Sequence, residues 1–274
     1  MSRILYTPGR EKKIRGPKRI WIFPAVLGMF FALAIAGGIF FLRRPEWQIS
    51  AVAIDGLRVI PESAMRSRVA GILAGAYLGL VPRSSVLLAR GHAIAEDLKK
   101  EFPPIRDVAV RKRFPNRLDI RVTERRLWGI FCNDLKPGMD FSCVAVDETG
   151  YAYAPSPAAK GALILLVRSD GDAVPVGAFA IESGVIDLLR RIADQMPASA
   201  GSAPLSFELP SGIRSEFRAV MPEGYYIIFR RDGDLANSLR VLKKVLDEEI
   251  KDKRTDIDYI DLRFGNKVFY KLRS

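Results

Sequence analysis

The sequence predicts an α+β protein held on a single N-terminal transmembrane helix. Residues Ile20 to Leu42 carry no charged side chain. Residues 47 to 125 then read as strand, helix, helix, strand, strand. From residue 126 to 274 the texture shifts to short β runs with turn residues between them, interrupted by two helical stretches.

The apolar run comes first in the chain and orders the rest. At about 1.5 Å of rise per residue it reaches about 35 Å, enough to cross a hydrocarbon core of roughly 30 Å with some tilt. Residues 1–19 form a basic tail, with Arg3, Arg10, Lys12, Lys13, Arg15, Lys18 and Arg19 against Glu11, and hold half of the net charge of +12. Basic flanks stay in the cytoplasm, so the tail is expected inside and the domain after residue 42 outside. A cleaved signal peptide is the competing reading, because Ala34-Ile35-Ala36 has small residues at cleavage spacing. The run continues through Phe40, Phe41 and Leu42, however, longer than a secretory core of about 7 to 15 residues. Arg43 and Arg44 are too few to reverse the asymmetry. The remaining charge is spread over residues 20 to 274 without a basic stripe interleaved with aromatics, which argues against a nucleic-acid partner.

The first exported elements follow in order. Gln48 to Ile54 reads as a strand ending at Asp55-Gly56. Pro61 opens a helical pattern with Met65, Val69, Ile72 and Leu73 on one face. A Gly-rich loop (Gly75, Gly79) leads to a second helix carrying Ile94, Leu98 and Phe102, stopped by Pro103-Pro104. Val108 and Val110 alternate with charges. After the turn Phe114-Pro115-Asn116-Arg117, Leu118, Ile120 and Val122 alternate with Asp119, Arg121 and Thr123. The expectation is a three-stranded sheet with two helices on one face.

The second half reads as more strands around two helices. Cys132 and Cys143 flank Lys136-Pro137-Gly138, and Val144-Ala145-Val146 pairs with Tyr151-Ala152-Tyr153 across Asp147-Glu148-Thr149-Gly150. Leu163 to Val167 is a buried strand by its continuous apolar run. Gly184 to Met196 reads as a helix and Pro197 to Pro204 as a small-residue loop. Phe217 to Val220 and Tyr225 to Phe229 form a hairpin across Pro222-Glu223-Gly224. Asp234 caps a long helix whose Leu235, Leu239, Leu242, Leu246 and Ile250 make a core stripe. Ile260, Leu262 and Phe264 alternate with Tyr259, Asp261 and Arg263, and a final strand runs from Lys267 to Leu272.

Catalytic chemistry finds little support. His92 is the single histidine and falls opposite Ile94 on its helix, facing solvent. There is no Gly-x-Ser-x-Gly elbow, no phosphate-cradling loop with lysine and no His-based zinc spacing. Two cysteines and one distant histidine do not fill a tetrahedral metal shell. No cofactor, metal or small-molecule substrate is expected. Cys132 and Cys143 leave two readings open: a cross-strand disulfide, favoured outside the cytoplasm, or two free thiols close in sequence.

Val108-Ala109-Val110-Arg111-Lys112-Arg113-Phe114-Pro115-Asn116-Arg117-Leu118-Asp119-Ile120-Arg121-Val122-Thr123-Glu124-Arg125 resembles the end of a POTRA domain of the FtsQ/DivIB cell-division family. Val146-Asp147-Glu148-Thr149-Gly150-Tyr151 is similar to the family's Asp-x-x-Gly hairpin. Asp258-Tyr259-Ile260-Asp261-Leu262-Arg263-Phe264 is similar to its Asp-Leu-Arg-aromatic strand. Leu127, where the family often has proline, and the longer Cys132 to Cys143 hairpin depart from the pattern.

The resemblance implies a tail over 1–19, a transmembrane helix over 20–42, a POTRA domain over 47–125 and a β domain over 126–274. It implies a non-catalytic scaffold of the division machinery in the inner membrane at the septum. The family's POTRA domain contributes to septal recruitment. Its last strands bind FtsB-like and FtsL-like division proteins, which communicate with the septal peptidoglycan synthase complex. The candidate partner-binding residues are therefore Tyr259, Asp261, Arg263, Phe264, Lys267, Val268, Phe269 and Lys271, on a sheet edge that a partner strand could join. The plain alternative for Tyr259, Asp261 and Arg263 is a solvent-facing row with a local Asp–Arg pair. The alternative at the level of the whole chain is a POTRA-containing envelope-assembly or export factor.

Overall fold

The computed structural model describes residues 22–135, 142–157, 164–211 and 215–273, without the side chains of residues 22, 23 and 25. The basic tail and the Lys136-Pro137-Gly138 turn lie outside the described residues. Helix α1 spans Ile22–Leu42. Most of its described apolar side chains, Val26, Leu27, Met29, Phe30, Phe31, Leu33, Ile35 and Phe40 among them, stand exposed, and Phe41 near its end meets Trp47. Among the described residues no helix is long and apolar enough to cross a membrane; α1 is described only in part.

A three-stranded sheet follows, built from β1 (Ala51–Asp55), β4 (Ile105–Arg113) and β5 (Arg117–Glu124) in the order β1-β5-β4. β5 is central, parallel to β1 and antiparallel to β4. Its alternation buries Leu118, Ile120 and Val122 against α2 (Glu62–Leu73) and α3 (Gly91–Glu101), through Met65, Val69, Ile94 and Leu98. The β-α-α-β-β order read from periodicity is present. The Gly-rich stretch between the helices is itself a hairpin, β2 (Ala76–Tyr77) against β3 (Val81–Pro82). The first strand starts at Ala51 rather than Gln48, because residues 47 to 49 bond instead to residues 84 to 86: Val86 N–H donates to Trp47 O and Ile49 N–H to Ser84 O.

The rest of the chain builds one nine-stranded sheet in the order β14-β13-β12-β11-β10-β9-β6-β7-β8. Its strands are β6 (Gly129–Cys132), β7 (Cys143–Val146), β8 (Ala152–Ser156), β9 (Leu165–Ser169), β10 (Ser206–Leu209), β11 (Glu216–Val220), β12 (Tyr226–Arg230), β13 (Ile257–Phe264) and β14 (Lys267–Leu272). Helices α4 (Ser183–Ala200) and α5 (Leu235–Val245) cover one face. There Ile186, Leu189, Ile192 and Met196 meet Phe207, Phe217, Ile227 and Ile260. The other face is open and polar in its middle, where Arg168 and Arg218 both pair with Glu208.

Two further expectations need correction. The helix through Met196 does not stop at Pro197 but continues to Ala200 and ends on Gly201, whose φ of +89° suits only glycine without strain. Burial of Met196 and Ala200 outweighs the one backbone bond that Pro197 lacks. The Leu-stripe helix, capped by Asp234 accepting from Asn237 N–H at 3.0 Å, is α-helical only to Val245. It then widens into a π-helical turn over Leu246–Ile250, which keeps Leu246 and Ile250 in the core. Phe264, one of the candidate partner-binding residues, is 55% exposed, because a β-bulge between Asp261 and Phe264 shifts the register and turns its ring away from the core side that Ile260 and Leu262 face.

The two sheets meet at the sequence pair Glu124-Arg125. Glu124 accepts the backbone N–H groups of Arg58, Val59 and Ile60 at 3.0, 2.9 and 3.1 Å. Burial pushes this carboxyl up, but those bonds outweigh it and hold Glu124 below the usual carboxylate range. Arg125 donates to Asp147 at 2.5 Å and lies 3.9 Å over the Tyr151 ring. Asp147 also accepts from Thr149 and Tyr151 N–H within the turn. Gly150 closes that turn at φ +83°, where a Cβ would sit 2.0 Å from the Ile181 carbonyl oxygen.

Candidate protein-binding edge

β13 and β14 form an antiparallel hairpin around Gly265-Asn266, with Phe264 opposite Lys267. Gly265 has φ +66°, as the first position of a type II′ turn requires. Asn237 of α5 donates to the Asn266 side chain at 3.1 Å and ties the turn to the helix layer. β13 pairs with β12 on its other side, so β14 is the last strand of the sheet and, among the described residues, no strand lies beside its outer edge. Arg273 N–H donates inward to Asp256 O at 2.6 Å. Backbone groups alternate along an antiparallel strand, so Val268, Tyr270 and Leu272 present their N–H and C=O groups outward.

The side chains sort by face. Phe269 is opposite Asp261 and stands 53% exposed on the open face. The bulge brings Phe264 to the same face, where the two rings meet edge to face at 5.3 Å. The Arg263 guanidinium lies 5.5 Å from the Phe264 ring. Tyr259 stacks on Tyr226 at 5.7 Å, and Arg218 lies 5.0 Å over that Tyr226 ring. Lys267 is exposed, and Lys271 pairs with Asp258 at 3.2 Å. Val268 points to the helix side and packs on the core. An aromatic pair with a basic rim thus lines an open backbone edge.

Asp261 is a support rather than a contact surface. It is 5% exposed and lies beneath Arg263, which donates to it from Nε at 2.9 Å and from Nη2 at 2.6 Å, and also pairs with Glu216. Hydrogen bonds to Asp261 first, then to Glu216, outweigh burial and push the Arg263 pKa up. Its charge is permanent, and the guanidinium is fixed beside Phe264. Tyr270 and Leu272 are also exposed on this edge and were absent from the sequence expectation. Strict alternation from Phe269 would have pointed to Tyr270 as the outward backbone position.

Elsewhere His92 is exposed on α3. Among the described residues no group of three His, Cys, Asp or Glu side chains is placed to hold a metal. Cys132 and Cys143 are opposite each other on β6 and β7 and joined as a disulfide, Cα–Cα 4.2 Å.

Compared with known families, residues 74–125 match the POTRA domain of FtsQ type. The match runs from the end of α2 through β5 and takes in residues 108–125, on which the resemblance was read. The chain therefore carries an FtsQ-type POTRA domain, followed by a β-rich domain with helices. No curated protein matches the chain.

Proposed function

We propose that this chain is a non-catalytic, single-pass membrane scaffold of the bacterial division machinery. In this reading Ile20 to Leu42 anchors it in the inner membrane, the basic tail is cytoplasmic and both folded domains lie outside. The β14 edge receives a strand from FtsB-like and FtsL-like division proteins and so links them to the septal peptidoglycan synthase complex. The observation that carries the proposal is the combination of an FtsQ-type POTRA domain with an unpaired terminal strand. Such an edge supplies a row of backbone donors and acceptors, and side chains at alternate positions select the partner. Phe264 and Phe269, exposed side by side, suit the role of anchor. The exposed apolar side chains of α1 support the anchor: Val26 through Ile35 form a run of large apolar groups left open to the surroundings among the described residues.

The test is a fluorescent fusion of the full chain in dividing cells. A mid-cell band is the expected outcome. A uniform envelope signal would remove the division role and favour an envelope-assembly or export factor. Orientation is read separately: a reporter active only outside the cytoplasm should work after Ser274 and fail near Lys18.

A further inference from the structure

The β2–β3 hairpin presents its apolar side chains in an unusual way. Leu78 and Gly79 are the two central residues of its turn, at φ +50° and +69°, and Leu80 N–H donates across it to Tyr77 O at 2.9 Å. A turn with two positive φ values favours asparagine or glycine at its first central position. Here a leucine occupies it, 96% exposed, between Tyr77 and Leu80, which are also exposed. No packing within the fold accounts for that choice.

The hairpin sits at the end of α1. Arg43 Nε donates to Leu80 O at 2.7 Å. Gln48 donates to Leu42 O at 3.0 Å and accepts from Ser84 at 2.5 Å, while the Phe41 and Trp47 rings lie 5.5 Å apart. These contacts fix the hairpin relative to the helix's last turn. Arg43 and Arg44 flank it, and Arg83 lies 5.4 Å over the Tyr77 ring; Glu46, 3.9 Å from Arg44, offsets one of these charges.

We infer that the Tyr77–Leu80 tip is a second membrane contact, set into the outer face of the bilayer that holds α1. Leu78 and Leu80 lie among the upper acyl chains, Tyr77 at the headgroup level, and the arginines against lipid phosphates. This chemistry takes an anionic phospholipid surface: apolar tip, amphipathic ring and cationic rim stand in the order that an interface offers them. The consequence is orientational. A second membrane contact beside the helix adds to the bonds of Arg43 and Gln48 in setting which face of the domain points away from the membrane. The inference rests on the reading of α1 as a membrane anchor.

The experiment uses the full chain in vesicles of phosphatidylethanolamine and phosphatidylglycerol. Single cysteines replace Leu78, Leu33 in α1 or Arg191 on α4, and each carries a polarity-sensitive fluorophore; the native cysteines are bonded to each other. Leu80→Cys serves as a second tip position. The tip label should lose most of its emission to a quencher carried near the lipid carbonyls and resist aqueous iodide; Leu33→Cys, near the middle of α1, should also resist iodide and lose its emission to a quencher carried at the acyl-chain centre. Arg191→Cys should do the reverse. A tip label quenched by iodide while Leu33→Cys stays lipid-quenched overturns this inference and leaves the anchor standing. A tip label shielded from both quenchers is covered by protein and also overturns it. Iodide reaching Leu33→Cys overturns the anchor, and this inference with it.

Discussion

The nine-stranded sheet ends in two edges that are treated in opposite ways. At one end, β8 holds Pro155, which has no N–H to offer. Residues 177 to 179 cover the start of β8: Ala152 N–H donates to Ala178 O and Gly177 N–H to Ala152 O, both at 2.8 Å, and Tyr151 bridges to Phe179. At the other end, β14 carries no proline and no acidic side chain, no segment among the described residues covers it, and it exposes Phe269, Tyr270 and Leu272 beside Phe264. An open, aromatic edge invites unwanted pairing, and proteins ordinarily blunt such edges. One chain that closes one edge and leaves the other open separates the demands of stability from those of binding. In the proposed function the open edge is the one that a partner strand joins.

The largest expected effect breaks that contrast at β14. Tyr270→Pro removes an outward donor and should abolish capture of the co-expressed FtsB-like and FtsL-like proteins while the domain still melts near the wild-type temperature. Phe269→Pro removes an inward bond to β13 and should lower the melting temperature as well. If Tyr270→Pro folds and captures partners normally, strand addition at β14 is wrong.

The Asp147 turn sharpens the comparison from the closed side, because it holds the segment leading into β8. Asp147 is buried and paired with Arg125, and Asp147→Asn leaves that guanidinium without its charge partner, a loss of about 3 to 5 kcal/mol. Burial pushes the Asp147 carboxyl up, but bonds from Thr149 and Arg125 outweigh it and hold it below the usual range. Its folded value is the lower one, so its stabilisation is complete above the unfolded pKa near 4 and is lost as pH falls through the folded value. Melting curves should therefore show a wild-type acid destabilisation below about pH 4 that is weaker in Asp147→Asn. Equal acid sensitivity in both proteins would assign the effect to other carboxylates.

Opening the Cys132–Cys143 bridge should come next, at about 3 kcal/mol for so short a loop. The bridge joins β6 to β7, near the closed edge, so reduction should lower the melting temperature and leave partner capture at β14 unchanged. Full thiol labelling before reduction would show that no bridge forms in the protein as purified.

How far these regions were legible in sequence differs for physical reasons. The POTRA sheet was readable because Leu118, Ile120 and Val122 alternate without interruption and pair with a neighbour only a tight turn away. The β14 strand was readable as well, because Lys267 to Leu272 returns along β13 after a two-residue turn. The bulge that turns Phe264 outward was not: nothing in Leu262-Arg263-Phe264 marks it, and Phe264 stood among the candidate edge residues through the family resemblance alone. The cover over β8 was not legible either, because Pro175 to Ile181 has no period and finds β8 only through tertiary contacts. Pro197 misled because a breaker rule is local, whereas the burial of Ala200 that overrides it depends on the whole core.

Phe269→Lys tests the side-chain part of the open edge. Its ring is exposed and touches Phe264 alone among the aromatic rings, so folding should change little. Affinity for the partner pair should fall by about 2 kcal/mol, some thirtyfold in dissociation constant, if the ring is an anchor. Unchanged affinity with Tyr270→Pro inactive would mean that the backbone alone provides recognition.

The smallest effect is expected at the closed edge, and it asks which feature closes it. Pro155→Thr restores an N–H and a β-favouring side chain to β8 but leaves residues 177 to 179 in place over Ala152. If that cover is what blocks pairing, the variant should stay monodisperse, capture its partners as before and shift stability by no more than about 0.5 kcal/mol. If it instead self-associates, the missing donor of Pro155 was the main barrier. The difference between the two edges would then reduce to one residue, and a proline placed at an outward position of β14 should suffice to make the two ends alike.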